Sequence, residues 1–272
     1  MSVEAINQLN EVFRVFSASN GVIRPHAILT GPSGSGKSHN VLALADVHGL
    51  NYIEVNAAQL TKEGLSGNSL SKALSPLANF GNAPTICFID EFDKLFISGN
   101  SNSDLAHEST NGVQNELLKA LESRTTSVFG DYGKYREITI DKVLFIFAGA
   151  FNGEEDLDVD RLREMGMKTE LLGRVGLVFN MTKLSLDEMK HILDKSELLS
   201  NYLDLYDCER DEVVKVIMEA LQESYDNNTL GARLITTLLH QYFLNGGKLP
   251  EKVKKATSFQ TKLKLAKQGE SK

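Results

Sequence analysis

Between an apolar stretch, His26-Ala27-Ile28-Leu29-Thr30, and a helical pattern from Val41 to Val47 runs Gly31-Pro32-Ser33-Gly34-Ser35-Gly36-Lys37-Ser38. No other segment limits the possible fold as tightly. A strand that breaks into a glycine-rich loop and re-forms as a helix is the setting of a phosphate-binding P-loop. Glycines let the backbone curl so that successive N–H groups point inward at phosphate oxygens. The following helix adds its N-terminal N–H groups and positive dipole end. In that setting Lys37 supplies a full charge to the terminal phosphates, and the Ser38 hydroxyl can ligate Mg²⁺. The loop residues from Gly31 to Gly36 complete the set of nucleotide-binding candidates.

A second element matches the first. Ile86-Cys87-Phe88-Ile89-Asp90-Glu91 is an apolar strand that ends in two carboxylates, with Asp90 52 residues beyond Ser38. At the C-terminal edge of a parallel sheet, Asp90 can hold a magnesium shell, and Glu91 can orient and polarise a water for attack on a γ-phosphate. Phosphate binding and water activation together point to nucleoside triphosphate hydrolysis.

The rest of the chain suits that chemistry. Apolar strand patterns at 26–30, 52–56, 85–90, 143–150 and 175–181 alternate with helical ones, including an N-terminal helix over 4–16. Such alternation predicts an α/β fold, a parallel five-stranded sheet covered by helices. Strand patterns stop after residue 181, and helices are expected at 185–196, 209–225 and 230–244. The first opens with Ser185 and Glu188, a capping box. The expected division is an α/β core over 1–182, a small helical domain over 183–247 and a basic tail over 248–272. The polar stretch 98–112 reads as a loop. Net charge is −7, yet the tail holds eight lysines against two glutamates. It is read as a contact for nucleic acid or an acidic partner, or else as a solvated terminus. The longest apolar stretch, Val143 to Phe151, is far below the roughly 20 residues that cross a bilayer. No membrane association and a cytoplasmic location are therefore expected. Two cysteines and six scattered histidines imply neither a disulfide framework nor a metal site.

With these residues in place, the sequence resembles the AAA+ ATPases, and within them the ClpX/HslU (Clp/Hsp100 unfoldase) group. Phe88-Ile89-Asp90-Glu91-Phe92-Asp93-Lys94 is similar to that group's Walker B segment. Gly112-Val113-Gln114-Asn115-Glu116-Leu117-Leu118-Lys119-Ala120-Leu121-Glu122 is similar to its helix after the second pore loop, and Val143 to Phe151 to its sensor 1 strand. Leu171-Leu172-Gly173-Arg174 resembles its arginine-finger motif, and Leu230-Gly231-Ala232-Arg233 its sensor 2. The resemblance implies ATP and Mg²⁺ as cofactors and a homo-oligomeric ring, usually a hexamer. It also implies that Arg174 reaches the ATP of a neighbouring subunit, while Arg233 senses nucleotide in its own. A planar, permanently charged guanidinium suits either task.

Departures from the group refine this. Gly64-Leu65-Ser66-Gly67 puts leucine where unfoldases carry a pore aromatic. The segment between Phe151 and Arg161 is short where ClpX proteins carry the loop that docks on the ClpP peptidase, and no zinc-binding domain precedes the core. A short stand-alone form without a ClpP partner is the expectation. No Gly-Gln signature precedes the P-loop, and the sensor 1 strand offers Ala148, Gly149 and Ala150, with Asn152 nearby but unassigned. Tyr132-Gly133-Lys134-Tyr135-Arg136 is either a basic pore-entrance loop or a plain exposed hairpin. Three functions stay open: a ring that remodels or unfolds a protein partner of unknown identity, a nucleic-acid-associated ATPase, and a structural ring switched by nucleotide.

Overall fold

The computed structural model describes residues 2–61, 68–96, 104–130, 133–206 and 208–250. It divides into two compact units, one of Met1–Ser185 with Thr229–Ala232 and the other of Leu186–Asn228 with Arg233–Lys272. In the first unit the chain runs through α1 (Ser2–Ala18), β1 (Ala27–Thr30), α2 (Lys37–Val47), β2 (Asn51–Asn56), α3 (Leu70–Ala73) and β3 (Thr85–Asp90). It continues through α4 (Asp104–Glu122), β4 (Thr125–Phe129), β5 (Tyr135–Thr139), β6 (Val143–Gly149), α5 (Val159–Glu164), α6 (Thr169–Leu172) and β7 (Leu177–Asn180). Five strands form a parallel sheet in the order β2-β3-β6-β1-β7.

The sheet is central because its inner strands, β3, β6 and β1, are buried on both faces. Along β6, Phe145 and Phe147 join one core with α4 and α6, while Leu144, Ile146 and Ala148 join a second core with α1 and α2. Every residue of β6 is buried, the pattern of a strand covered by helices on both sides. The α1 helix contributes Leu9, Val12, Phe13 and Phe16 to the second core, and each such side chain is worth roughly 1.5–3 kcal/mol of burial. The register brings strand ends level: Thr30 pairs with Gly149 and Asn180, Phe147 with Ile89, and Asn56 with Asp90. In a parallel sheet of this kind, ligands gather beyond those C-terminal ends.

Several sequence expectations are corrected. The strand expected over 175–181 is confined to β7, because Val175 still bonds back to Leu171 through its amide. Residues 104–112, read as part of a loop, are the first half of α4, whose length is set by apolar Val113, Leu117, Ala120 and Leu121 on one buried face. Residues 98–103 lie outside the described residues. An antiparallel hairpin, β4–β5, stands beside the main sheet, with Phe129 edge-on to Tyr135 and Lys72 over the Phe129 ring. The Lys134-Tyr135-Arg136 part of the basic segment belongs to that hairpin, and Tyr132 lies outside the described residues.

His26 enters β1 buried, and its Nδ1 accepts the Phe145 N–H at 3.0 Å. Burial, reinforced by the charge of Arg24, pushes its pKa down from 6.5 to about 4. The folded state therefore refuses a proton that the unfolded chain accepts. Stability is present above pH 6.5 and falls as the pH drops toward 4, by up to about 3 kcal/mol. Urea midpoints measured across this window are expected to decline, and His26→Gln is expected to flatten the decline. An unchanged slope in the variant would assign the acid sensitivity to other groups.

The second unit is built of α7 (Leu186–Asp194), α8 (Glu197–Leu205), α9 (Arg210–Ser224) and α10 (Arg233–Leu244). Among the described residues four helices replace the three expected, because Ser196 caps a new helix by accepting the Leu199 N–H on its Oγ. Met189, Leu193, Leu199, Val213, Ile217, Leu221 and Leu239 are fully buried here, and Tyr202 stacks on Phe243 with ring centroids 4.3 Å apart. Leu65 and residues 251–272 lie outside the described residues. Among the described residues no helix is long and apolar enough to cross a membrane.

Candidate functional site

Gly36 and Gly34 show why the loop that leaves β1 takes glycine. Gly36 caps α2 in the left-handed region, at φ 89° and ψ 14°. Gly34, at φ 72°, touches the backbone of the segment 229–232: its carbonyl accepts the Ala232 N–H at 3.0 Å, and a Cβ here would run into the Leu230 carbonyl oxygen. Pro32 accepts the Ser35 N–H at 3.3 Å and Ser33 is exposed. The Ser35 hydroxyl is buried with no hydrogen-bond partner, an orphan polar group in the wall of the loop. Such an orphan is what a phosphate-binding loop shows when its acceptor is not part of the chain.

Lys37 is the first residue of α2 and is buried. Its Nζ donates to the carbonyl oxygens of Gly31 at 2.6 Å and Pro32 at 2.9 Å, so the charge is folded onto the loop itself. Ser38 donates a long hydrogen bond, 3.4 Å, from Oγ to Asp90 Oδ2. The other Asp90 oxygen accepts the Glu91 N–H at 2.8 Å. Glu91 is exposed and left-handed, at φ 54° and ψ 32°, a backbone setting uncommon for a residue with a Cβ. A left-handed residue at this point turns the chain out of the line of β3. Thus the structure gathers the P-loop, Ser38, Asp90 and Glu91 at one edge of the sheet. Its donor set is hydroxyl, carboxylate, ammonium and backbone amide, which suits phosphate with a hard cation and no softer metal.

The two arginines are placed otherwise. Arg174 follows α6, and its Nε and Nη2 both donate to Glu122 Oε1, at 3.1 and 2.7 Å. Arg233 opens α10 in the second unit.

Three supporting residues escaped sequence reasoning. Asn180 accepts the Thr30 hydroxyl at 2.6 Å and the Leu157 N–H at 2.8 Å, which ties the ends of β1 and β7 together beneath the loop. Asp93 is 1% exposed and accepts the Phe151 N–H at 3.3 Å. Gly149 makes room for it, since a Cβ there would lie 2.6 Å from Asp93 Oδ1. Glu122 is the third. Asn180 carries no motif; Asp93 and Glu122 stand inside the segments 88–94 and 112–122, which by themselves assign neither of them a role.

Comparison with known proteins agrees with the geometry. Residues 27–171 match the ATPase family associated with various cellular activities (AAA). The ClpX ATP-binding subunit of the ATP-dependent Clp protease from Borrelia duttonii is 25% identical over 288 residues, covering 89% of this chain and 67% of the relative. The ATPase subunit ClpY of an ATP-dependent protease from Bacillus velezensis is 33% identical over 165 residues, and HslU from Bacillus cereus is 30% identical over the same length. Those two alignments cover 57% of this chain and 32% of each relative. With the P-loop, Asp90 and Glu91 within the matched region, the chain belongs to the AAA family of ATPases, proteins that bind and hydrolyse ATP, and is similar within it to ClpX and HslU.

Proposed function

We propose that this chain is a subunit of an ATP-driven ring that remodels or unfolds a protein partner without an attached ClpP peptidase. The observation that carries the reading is where Arg174 lies. It precedes the N-terminal end of β7, whereas the P-loop leaves the C-terminal end of β1, and the two strands are parallel with Ala27 level with Leu177. The strand alone separates them by about 10 Å at 3.3 Å per residue, which favours a phosphate on a neighbouring subunit over one in its own P-loop. An arginine that serves the next subunit closes a ring or a helix of subunits by repetition of one head-to-tail interface. Six subunits match the family resemblance, and a cytoplasmic location goes with it.

Within one such site, the loop backbone from Gly31 to Gly36 and Lys37 bind phosphate. Ser38 and Asp90 would hold Mg²⁺, which would neutralise charge on the β- and γ-phosphates. The Ser38 hydroxyl and the Asp90 carboxylate stand 3.4 Å apart, two oxygen donors of the kind a hard cation would take. Glu91 holds the attacking water and takes its proton. Arg174 stabilises the transferred phosphoryl group, and Arg233 senses nucleotide from the helical domain. We take residues 1–182 as the ATPase core, 183–247 as the lid and 248–272 as a basic tail. The whole activity of the ClpX and HslU proteins is longer-chain machinery, of which this chain spans 67% and 32% of the relatives' lengths.

The test uses the full chain. Light scattering with and without ATP is expected to show an ATP-dependent assembly, and an unfolded polypeptide such as casein is expected to raise its ATPase rate. A chain that stays monomeric at saturating ATP would overturn the ring. Stimulation by DNA alone, falling steeply with salt, would replace the protein partner by nucleic acid.

A further inference from the structure

The arginine is not held by its own segment alone. The α4 helix is the body against which that segment is built. Its Val113, Leu117 and Ala120 share one core with Leu171, Leu172 and Val175 around the finger. Polar tethers reinforce this packing. Lys168 Nζ donates to Asn115 Oδ1 at 2.6 Å, and the Lys168 N–H donates to Gln114 Oε1 at 3.3 Å. Gln114 is 2% exposed, and its Nε2 donates to the Leu95 carbonyl at 3.4 Å, in the turn that follows Glu91. One helix thus touches both the turn beside the catalytic carboxylate and the segment that carries the arginine. At its last residue stands Glu122.

We propose that Glu122 is a positioning residue that aims Arg174 at the neighbouring subunit's ATP. The inference rests on the reading of Arg174 given above. Both side chains are about half exposed, 56% for Arg174 and 43% for Glu122, so the ion pair adds little to stability. Its effect is on orientation. Glu122 uses one oxygen to engage only the Nε–Nη2 side of the guanidinium, which leaves the Nη1 side for a second acceptor. An arginine side chain has four rotatable bonds, and fixing it in advance removes an ordering cost from the transition state. Because Glu122 terminates α4, that aim is coupled to the same helix that contacts the turn after Glu91.

A double-mutant cycle on the assembled protein tests this. Glu122→Ala is expected to lower kcat about 5-fold, with KM for ATP and Tm little changed, since only the pre-ordering of one long side chain is lost. Glu122→Gln keeps an acceptor oxygen at the same reach and is expected to retain more of the rate. In an Arg174→Ala background, Glu122→Ala is expected to cost nothing further. Three results would overturn the proposal: an unchanged or raised kcat in Glu122→Ala, an equal loss in the Arg174→Ala background, or a Glu122→Gln variant no better than Glu122→Ala. If Arg174→Ala lowers the rate while Glu122→Ala does not, only the positioning role fails. If Arg174→Ala keeps the full rate, the arginine finger fails and the aiming residue with it.

Discussion

Glu91→Gln is expected to bind ATP as the unaltered chain does and to lose turnover by about 10²- to 10⁴-fold, the usual contribution of a positioned general base. The separation of binding from turnover follows from how the residue is held. Its backbone is fixed by the Asp90 carboxylate on the Glu91 N–H, by buried Phe92, and by buried Asp93 anchored on the Phe151 amide. None of these contacts uses the Glu91 carboxylate, so its replacement leaves them, and the Asp90 bond to Ser38, in place. Glutamine keeps the length and polarity of the side chain while removing its capacity to take a proton. Equilibrium nucleotide binding and steady-state phosphate release, measured side by side, check the prediction. A fall of less than about tenfold would remove Glu91 from the role of general base. A second substitution separates carboxylate from backbone. Glu91→Gly relieves the left-handed strain at φ 54° and is expected to be at least as stable as the parent, yet equally inactive.

Arg174→Ala and Lys37→Ala are each expected to abolish most turnover, and mixing the two is expected to restore part of it. Removing Lys37 deletes the buried ammonium that the loop carbonyls of Gly31 and Pro32 hold in place, so phosphate loses its main charge partner. Removing Arg174 leaves nucleotide binding intact but withdraws a guanidinium from the transferring phosphoryl group, a loss on the order of 10³-fold for arginine fingers. In a mixed assembly the Arg174→Ala subunits contribute sound P-loops and the Lys37→Ala subunits contribute sound arginines. At equal proportions about a quarter of the head-to-tail interfaces carry both. Phosphate release across a series of mixing ratios should therefore peak near equality. A flat, inactive series, with co-assembly shown by differently tagged subunits, would contradict an arginine acting between subunits.

How much of the site was legible beforehand depends on distance along the chain. The P-loop could be read because its requirements are local: a strand, glycines where a Cβ would collide or the backbone must turn left-handed, and a helix N-terminus. Asp90 and Glu91 could be read because a buried strand seldom ends in two acids. The helix expected over 185–196 ends close to where α7 does; the additional one, α8, occupies 197–205, a stretch with no expected element, and its start rests on one serine hydroxyl cap, too small a signal to read beforehand. The loop reading of 98–112 failed beyond Ser103 because polar residues can extend a helix whose buried face lies further along.

The amino-acid sequence by itself determined that residues 31–38 form a glycine-rich loop between a strand and a helix, that a carboxylate pair lies beyond a buried strand, and that the sheet is parallel and covered by helices. Tertiary structure alone decided the order β2-β3-β6-β1-β7, which sets β6 between the strand of the P-loop and the strand of the carboxylates. It decided that Ser38 meets Asp90 and that Arg174 meets Glu122, pairs each 52 residues apart. Periodicity reports which face of an element is buried, and capping reports where it ends; neither reports which element lies next to it. That choice is made by the packing of the whole core, and the chemistry of this chain depends on it as much as on its motifs.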